Sequence, residues 1–188
     1  MELLDAHGEA LQLFDRAVRA VGPEDWERAT PCSEWTVRAL VDHLVTEQLW
    51  APPLLGGSTL DEVGGRFDGD VLGPDPLDAW TSASGAARAA WLRPGALRAT
   101  VHVSTGLIPA EDYGWQMTAD LAVHGWDLAR AGGAANPIGP ALADRLITEL
   151  RPQIDAWQGI GFFAPPVAVP RYADAPTRLV ALLGRTPR

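Results

Sequence analysis

The stretch Trp115–Arg130 (Trp-Gln-Met-Thr-Ala-Asp-Leu-Ala-Val-His-Gly-Trp-Asp-Leu-Ala-Arg) constrains this chain more than any other. Its periodicity predicts a helix. At about 100° per residue, Asp120 and His124 (i, i+4) share a face with Asp127 and with Met117, Leu121 and Leu128. That face is otherwise apolar. A carboxylate and an imidazole turned into a helix-lined interior are costly unless paired or coordinated, so the stretch calls for either a metal ion or a hydrogen-bonded Asp–His pair.

Composition narrows what surrounds that helix. With 188 residues, 47% apolar content and eight Trp, the chain can build one good core, and a single domain over 1–188 is expected. The formal charge is −9 and all fifteen basic residues are Arg, scattered rather than clustered, so no nucleic-acid partner is expected. Residues 1–6 show no basic stretch leading into an apolar run, and no segment has the apolar length that spans a bilayer. The expectation is a cytoplasmic protein without a membrane partner. A single cysteine, Cys32, excludes an internal disulfide framework and a thiolate-based metal site, leaving nitrogen and oxygen as donors.

In chain order, Leu4, His7, Leu11, Phe14, Val18 and Val21 recur at helical spacing, and Gly22-Pro23 stops this first helix. Ser33 or Thr36 caps a second helix from Thr36 to Trp50, with Val37, Leu40, Val41, Leu44 and Val45 inward and His43 at the edge of that arc. From Ala51 to Asp75 the composition turns to Pro, Gly and Asp, predicting a long loop with a short helical piece, the kind of segment that often serves as a lid. Asp75-Pro76 and Pro94-Gly95 bracket a third helix, Pro76–Arg93, whose Leu77, Trp80, Ala87 and Trp91 face inward. Leu97–Val103 alternates apolar and polar, and Ser104-Thr105-Gly106 leads into a second extended piece near Leu107-Ile108, a small hairpin. After the helix at Trp115–Arg130, a fifth runs from Gly139 to Trp157, with Pro152 a kink or an early stop. Gly159–Pro170 wraps over the bundle, and Asp174-Ala175-Pro176 starts a last short helix closed by Gly184.

The fold class is therefore all-α: a four-helix bundle with a small β-hairpin insertion and a wrapping C-terminal tail that ends in a short helix. Bundle cores hold metals between facing helices. The i, i+4 pair joined by one histidine from another helix gives two imidazoles and a carboxylate, with positions left open for water or substrate. Such a set suits Zn²⁺, with Fe²⁺, Ni²⁺ and Mn²⁺ as alternatives. Spacing alone does not choose between a metal and a satisfied Asp–His network.

Thr30–Val45 (Thr-Pro-Cys-Ser-Glu-Trp-Thr-Val-Arg-Ala-Leu-Val-Asp-His-Leu-Val) and Val123–Ala129 (Val-His-Gly-Trp-Asp-Leu-Ala) resemble the two signature blocks of the mycothiol-dependent maleylpyruvate isomerase N-terminal family, within the DinB-like superfamily. Leu179–Pro187 is similar to the ending of a metal-binding, actinobacterial-type branch. The resemblance implies a metal held by a histidine of the second helix and by a pair, four apart, on a later one. Carried over, these ligands fall on His43, Asp120 and His124. The family more often has Glu or His where this chain has Asp120, one methylene shorter than Glu, which predicts a weaker or shifted site. Glu47 is read first as a solvated edge residue and second as a fourth ligand or supporting acceptor. Asp127 is read as the partner behind a ligating imidazole.

The resemblance further implies that a low-molecular-weight thiol, mycothiol or a relative, binds the metal as thiolate and attacks an electrophilic carbon, in isomerisation or S-transfer. Partners would then be that thiol and an electrophilic substrate. The alternatives are a noncatalytic metal-binding or interaction bundle, and an apo bundle with a structural Asp–His network. Arg38, Arg88 and Arg130 are single basic candidates for an organic acid, each read as a surface residue, so maleylpyruvate itself is not carried over. Cys32 is read as a small buried hydrophobe, with a helix dipole lowering its thiol pKa as the second reading. His7 either bonds within the core or sits beside the pocket, and His102 is expected to be exposed. Trp35, Trp50 and Trp126 are candidates to wall a cavity, and an exposed apolar helix face would support a homodimer.

Overall fold

The computed structural model describes residues 1–152, 154 and 164–187. Its helices are α1 (Leu3–Arg19), α2 (Val37–Leu55), α3 (Leu60–Val63), α4 (Pro76–Trp91), α5 (Ala110–Ala131), α6 (Pro140–Leu150) and α7 (Ala175–Leu182). Between α4 and α5 lies the hairpin, β1 (Thr100–Val103) and β2 (Gly106–Pro109), antiparallel with Val101 opposite Ile108 and His102 opposite Leu107. The bundle proper is α1, α2, α4 and α5, with α1 packed on α5, α2 on α4, and α6 and α7 on each other. No described helix is long and apolar enough to cross a membrane.

Helix α5 is the axis of the fold. Residues on every side of it are buried, among them Trp115, Leu121, Val123, Trp126 and Leu128. Its neighbour α1 comes in unusually close because two α5 positions lack a side chain. A Cβ on Gly125 would collide with Leu13 and stand 3.4 Å from the Phe14 Cα; one on Gly114 would stand 2.6 Å from a Leu3 methyl. This contact shifts the buried stripe of α1. Leu3, Ala6, Ala10 and Leu13 join His7, Phe14 and Val18 inside, whereas Leu4, Leu11 and Val21, expected to be inward, are half-buried. Gly125→Ala should therefore lower stability by about 1–3 kcal/mol, the range for overpacking a filled core. Urea unfolding of the variant checks this, and an unchanged midpoint would mean that α1 is free to move aside.

Two further boundaries differ from expectation. The second helix does not stop at Trp50 but continues through Pro52 and Pro53 to Leu55. Proline fits helical φ, and the Gly56 N–H bonds back to the Pro52 and Pro53 carbonyls at 3.0 Å each, so the final turn is closed from behind. The extension carries Ala51, Leu54 and Leu55 into a smaller core cluster with Trp91, Val101 and Met117. Helix α6 ends at Leu150, so Pro152 marks an early stop, and its Leu142, Leu146, Ile147 and Leu150, with Ile154 beyond, are buried as anticipated. The remainder of the expected fifth helix, to Trp157, and the start of the wrapping tail lie outside the described residues. From Ala164 the tail runs beside α7, where the Val167 N–H bonds to the Ala181 carbonyl at 2.9 Å.

The exposed large apolar side chains among the described residues are Met1, Leu92, Leu107 and Tyr172. None of these four lies within a described helix. His102, expected to be exposed, is half-buried, and its Nδ1 accepts a hydrogen bond from the Leu60 N–H at 3.3 Å, tying the hairpin to α3. His7 is buried but lies away from the cavity. Its Nδ1 faces the Arg88 guanidinium at 3.2 Å, Arg88 also donates to the Leu4 carbonyl at 2.9 Å, and the ring packs 5.7 Å from that of Trp91.

Burial, followed by the charge of Arg88, pushes the His7 pKa down from 6.5 to about 3. Below pH 6.5 the unfolded chain takes up a proton that the folded chain refuses. The stability His7 supports is thus present above pH 6.5 and is lost as pH falls toward 3. Between pH 6.5 and 5 the loss should approach roughly 2 kcal/mol, at about 1.4 kcal/mol per unit. Stability measured against pH for wild type and His7→Gln checks this, and parallel curves would contradict it.

Candidate metal centre

The loop before α2 is built to hold an aromatic lid over the cavity beneath it. The Thr30 Oγ accepts from the Cys32 N–H at 3.2 Å and lies within bonding range of the Cys32 and Trp35 carbonyls, at 3.1 and 3.0 Å. Thr36, not Ser33, caps α2 by accepting from the Ala39 N–H at 3.3 Å. Trp35 is thereby fixed with its ring 4.6 Å from that of His43 and 5.3 Å from that of His124.

Beneath Trp35 the sequence-predicted residues converge. His43 comes from α2, and Asp120 and His124 from successive turns of α5. One carboxylate spans both imidazoles, with Asp120 Oδ2 3.2 Å from His43 Nε2 and Asp120 Oδ1 3.4 Å from His124 Nε2. The shorter aspartate reaches both rings. The other nitrogen of His124, Nδ1, lies 2.9 Å from Asp127 Oδ2. Asp127 is fully buried and is gripped in turn by Arg185, whose Nη2 and Nε donate to its two oxygens at 2.8 and 3.3 Å. Arg185 also donates to the Leu183 carbonyl at 3.0 Å, which anchors the C-terminal segment to the centre of α5.

The charges of this chain are interdependent. Burial alone would raise the Asp120 pKa, but the two imidazoles prevail and hold it well below the usual carboxylate range. Burial would likewise lower both histidines; Asp120 instead raises His43, and Asp120 with Asp127 raises His124 to about 9. Asp127 is kept low against its burial by His124 and Arg185. Glu47 departs from its expected solvated-edge role. It is half-buried in the cavity wall, and burial together with the Asp120 charge raises its pKa to about 7. For Cys32, burial outweighs Arg185 and pushes the thiol pKa up, the opposite of the helix-dipole expectation.

The donor set matches the stereochemistry of a small divalent ion. Ligands about 2.1 Å from a tetrahedral centre stand about 3.4 Å apart; one donor atom from each of His43, Asp120 and His124 lies within 4.8 Å of the others, His43 Nε2 being 3.2 Å from one Asp120 oxygen and His124 Nε2 3.4 Å from the other. When His124 donates its Nδ1–H to Asp127, its Nε2 lone pair points at the Asp120 carboxylate. Two electron-rich atoms facing each other call for a cation or a proton between them. The carboxylate behind the ring is the arrangement that fixes a ligating tautomer. Cys32, His124 and Asp127 form a second group within 4.8 Å, although Asp127 is already committed to Arg185.

The triad sits in the wall of a cavity of about 960 Å³ whose rim includes Trp50, Leu54, Leu60 and Val103 and, from the tail, Ala164 and Pro165. Trp35 and Trp50 wall it as expected; Trp126 is instead packed in the core. Arg38, Arg88 and Arg130 all lie outside it, bonded to Asp70, to Leu4 and His7, and to the Ala134 carbonyl respectively. Arg185 and Tyr113 line it and were assigned no role from sequence. Arg185 falls within the C-terminal block Leu179–Pro187, and its position after a helix-closing glycine was the available signal.

Fold and site together define a helical bundle that carries a His–Asp–His set facing a ligand-sized cavity. The chain belongs to the mycothiol maleylpyruvate isomerase N-terminal domain family, whose profile matches residues 7–129. It is 31% identical over its full length to two uncharacterized proteins from two strains of Mycobacterium tuberculosis, each covered completely. Among solved structures, a mutant of the mycothiol-dependent maleylpyruvate isomerase superposes with a TM-score of 0.67 at 15% identity, covering 85% of this chain and 71% of that one. That likeness carries the DinB-like bundle fold. Arg185 lies outside the matched span, so the grip on Asp127 comes from a part of the chain that the family profile does not cover.

Proposed function

We propose that this chain, acting as a single domain over 1–188, is a metal-dependent thiol S-transferase or isomerase. His43, Asp120 and His124 are the metal ligands, Zn²⁺ is the preferred ion, and mycothiol or a related low-molecular-weight thiol is the co-substrate. The observation that carries this reading is the single carboxylate shared between two imidazole Nε2 atoms at 3.2 and 3.4 Å, in the wall of a cavity large enough for a thiol and a second molecule. A divalent ion held there would supply Lewis acidity that lowers the pKa of a coordinated thiol. The residues do the rest. Asp127 and Arg185 hold His124 in register, Trp35 packs against both imidazole rings, and Glu47, with a pKa raised to about 7, stands in the wall as a group able to accept or return the thiol proton. Membership of the family supports the thiol; the ion and the reaction are inferences.

One observation favours a second reading. With both histidines protonated, Asp120, Asp127 and Arg185 leave the cluster satisfied without an ion, as an apo Asp–His network. Titrating Co²⁺-loaded protein with mycothiol separates the two. A thiolate-to-cobalt charge-transfer band that His124→Ala abolishes is the expected result. Stoichiometric Co²⁺ binding with no band would leave a noncatalytic metal-binding bundle, and no Co²⁺ binding would leave the apo network.

A further inference from the structure

Each of the four bundle helices turns one polar side chain into the interior that its neighbours do not serve. They are His7 on α1, Gln48 on α2, Trp91 on α4 and Tyr113 on α5, none more than 5% exposed. Among the described residues, His7 Nε2, both amide atoms of Gln48, Trp91 Nε1 and the Tyr113 hydroxyl have no hydrogen-bond partner. Three of these side chains form a row, the Trp91 ring being 5.7 Å from that of His7 and 5.5 Å from that of Tyr113. Gln48 sits one turn before Ala51, which packs in one cluster with Trp91 and Tyr113. Tyr113 lines the cavity, but its hydroxyl is enclosed, so the group lies behind the cavity wall. Buried polar atoms without partners are rare enough in native proteins to point to something that binds them.

The chemistry of the group decides what fits it. A guanidinium can only donate, so the His7 nitrogen that Arg88 meets at 3.2 Å, Nδ1, is the acceptor, and the ring proton is on Nε2. His7 Nε2–H, Trp91 Nε1–H and the Gln48 NH2 therefore need acceptors, whereas Gln48 Oε1 needs a donor; the Tyr113 hydroxyl serves as either. Pro52 adds to the demand for donors. It has no N–H, so the backbone carbonyl of Gln48 lacks its usual partner one turn on. A metal cation would meet donor hydrogens and no carboxylate within the group, and an anion would meet the Gln48 oxygens. Water both donates and accepts, and it commonly satisfies buried groups of this mixed kind.

We infer that ordered water occupies this layer and joins Gln48 to His7, Trp91 and Tyr113, so that a hydrated polar seam crosses the bundle behind the cavity. The water accepts from His7 and Trp91 and donates to Gln48 Oε1. The seam holds the four helices in register, because turning any one of them would strand its polar group among apolar neighbours. It depends on neither the metal centre nor thiol transfer.

The test is a high-resolution crystal structure of the full chain, with urea unfolding of Gln48→Leu, His7→Phe and the double variant. The structure should show at least one ordered water within about 3.2 Å of a Gln48 amide atom and of His7 Nε2 or Trp91 Nε1. Gln48→Leu should lower the unfolding midpoint, because it removes the water's anchor and strands the His7 donor. His7→Phe should then cost less in the Gln48→Leu background than in wild type. A structure with no water among these atoms overturns the inference. So does a midpoint raised by Gln48→Leu, as removal of an unpaired amide from a dry core would give, with the cost of His7→Phe unchanged. If Gln48→Leu does not fold, the wild-type structure alone decides. The same water is expected before and after metal removal, so failure of the metal centre leaves this inference standing.

Discussion

Arg185→Met should unfold this protein more readily than any change at a surface ion pair, lowering stability by about 3–5 kcal/mol. The reason is the position of Asp127. Its side chain is wholly buried on the central helix, and the paired donors of Arg185 at 2.8 and 3.3 Å balance its charge. Removing the guanidinium leaves a buried carboxylate with one imidazole for company. Methionine keeps the volume of the arginine stem, so the loss reports charge rather than packing. Arg19→Ala, which opens the exposed i, i+4 pair with Asp15 at 3.0 Å, should by contrast shift the unfolding midpoint far less. Urea unfolding of both variants makes the comparison. Repeating Arg185→Met in an Asp127→Asn background should recover most of the loss, because the stranded charge is gone. A cost under about 1 kcal/mol for Arg185→Met would mean that water reaches Asp127 and that the C-terminal segment does not lock the centre of α5.

The second large effect falls on metal affinity. Asp120→Ala removes the only oxygen donor among three and leaves two imidazoles whose Nε2 atoms no longer share a counter-charge. Asp127→Asn leaves all three donors in place and weakens only the support behind His124, for which a loss of roughly 10–100-fold is expected. Asp120→Ala should exceed that range, and competition dialysis with a chelator of known affinity resolves the two. The order matters more than either value. If Asp127→Asn costs more than Asp120→Ala, the ion sits in the Cys32–His124–Asp127 group instead.

Much of this arrangement was legible because helical periodicity is a strong signal. Asp120, His124 and Asp127 on one face of the central helix, the Asp75 cap, the hairpin at Thr100–Pro109 and the inward face of α6 all follow from spacing and local chemistry. What escaped is long-range. The register of α1 depends on Gly114 and Gly125, far along the chain, which let it approach α5, and no pattern within α1 records this. The double proline at 52–53 reads as a stop because a lost N–H is visible in sequence, whereas the downstream N–H groups that close the turn are not. Glu47 looks like an edge residue on a helical wheel, and only the hairpin and α3 rim make its side of α2 the wall of a cavity. Arg185 meets Asp127 across 58 positions of sequence, a pairing that neither residue announces.

Elemental analysis of the untagged wild-type protein, beside His43→Ala, Asp120→Ala and His124→Ala, tests the central claim most directly. About one transition-metal ion per chain is expected in the wild type, with its loss in each variant and all four proteins folded. A wild-type protein that holds no metal and takes up none from excess Zn²⁺ would contradict a metal centre here, and His43, Asp120 and His124 would then be a proton-bridged structural network.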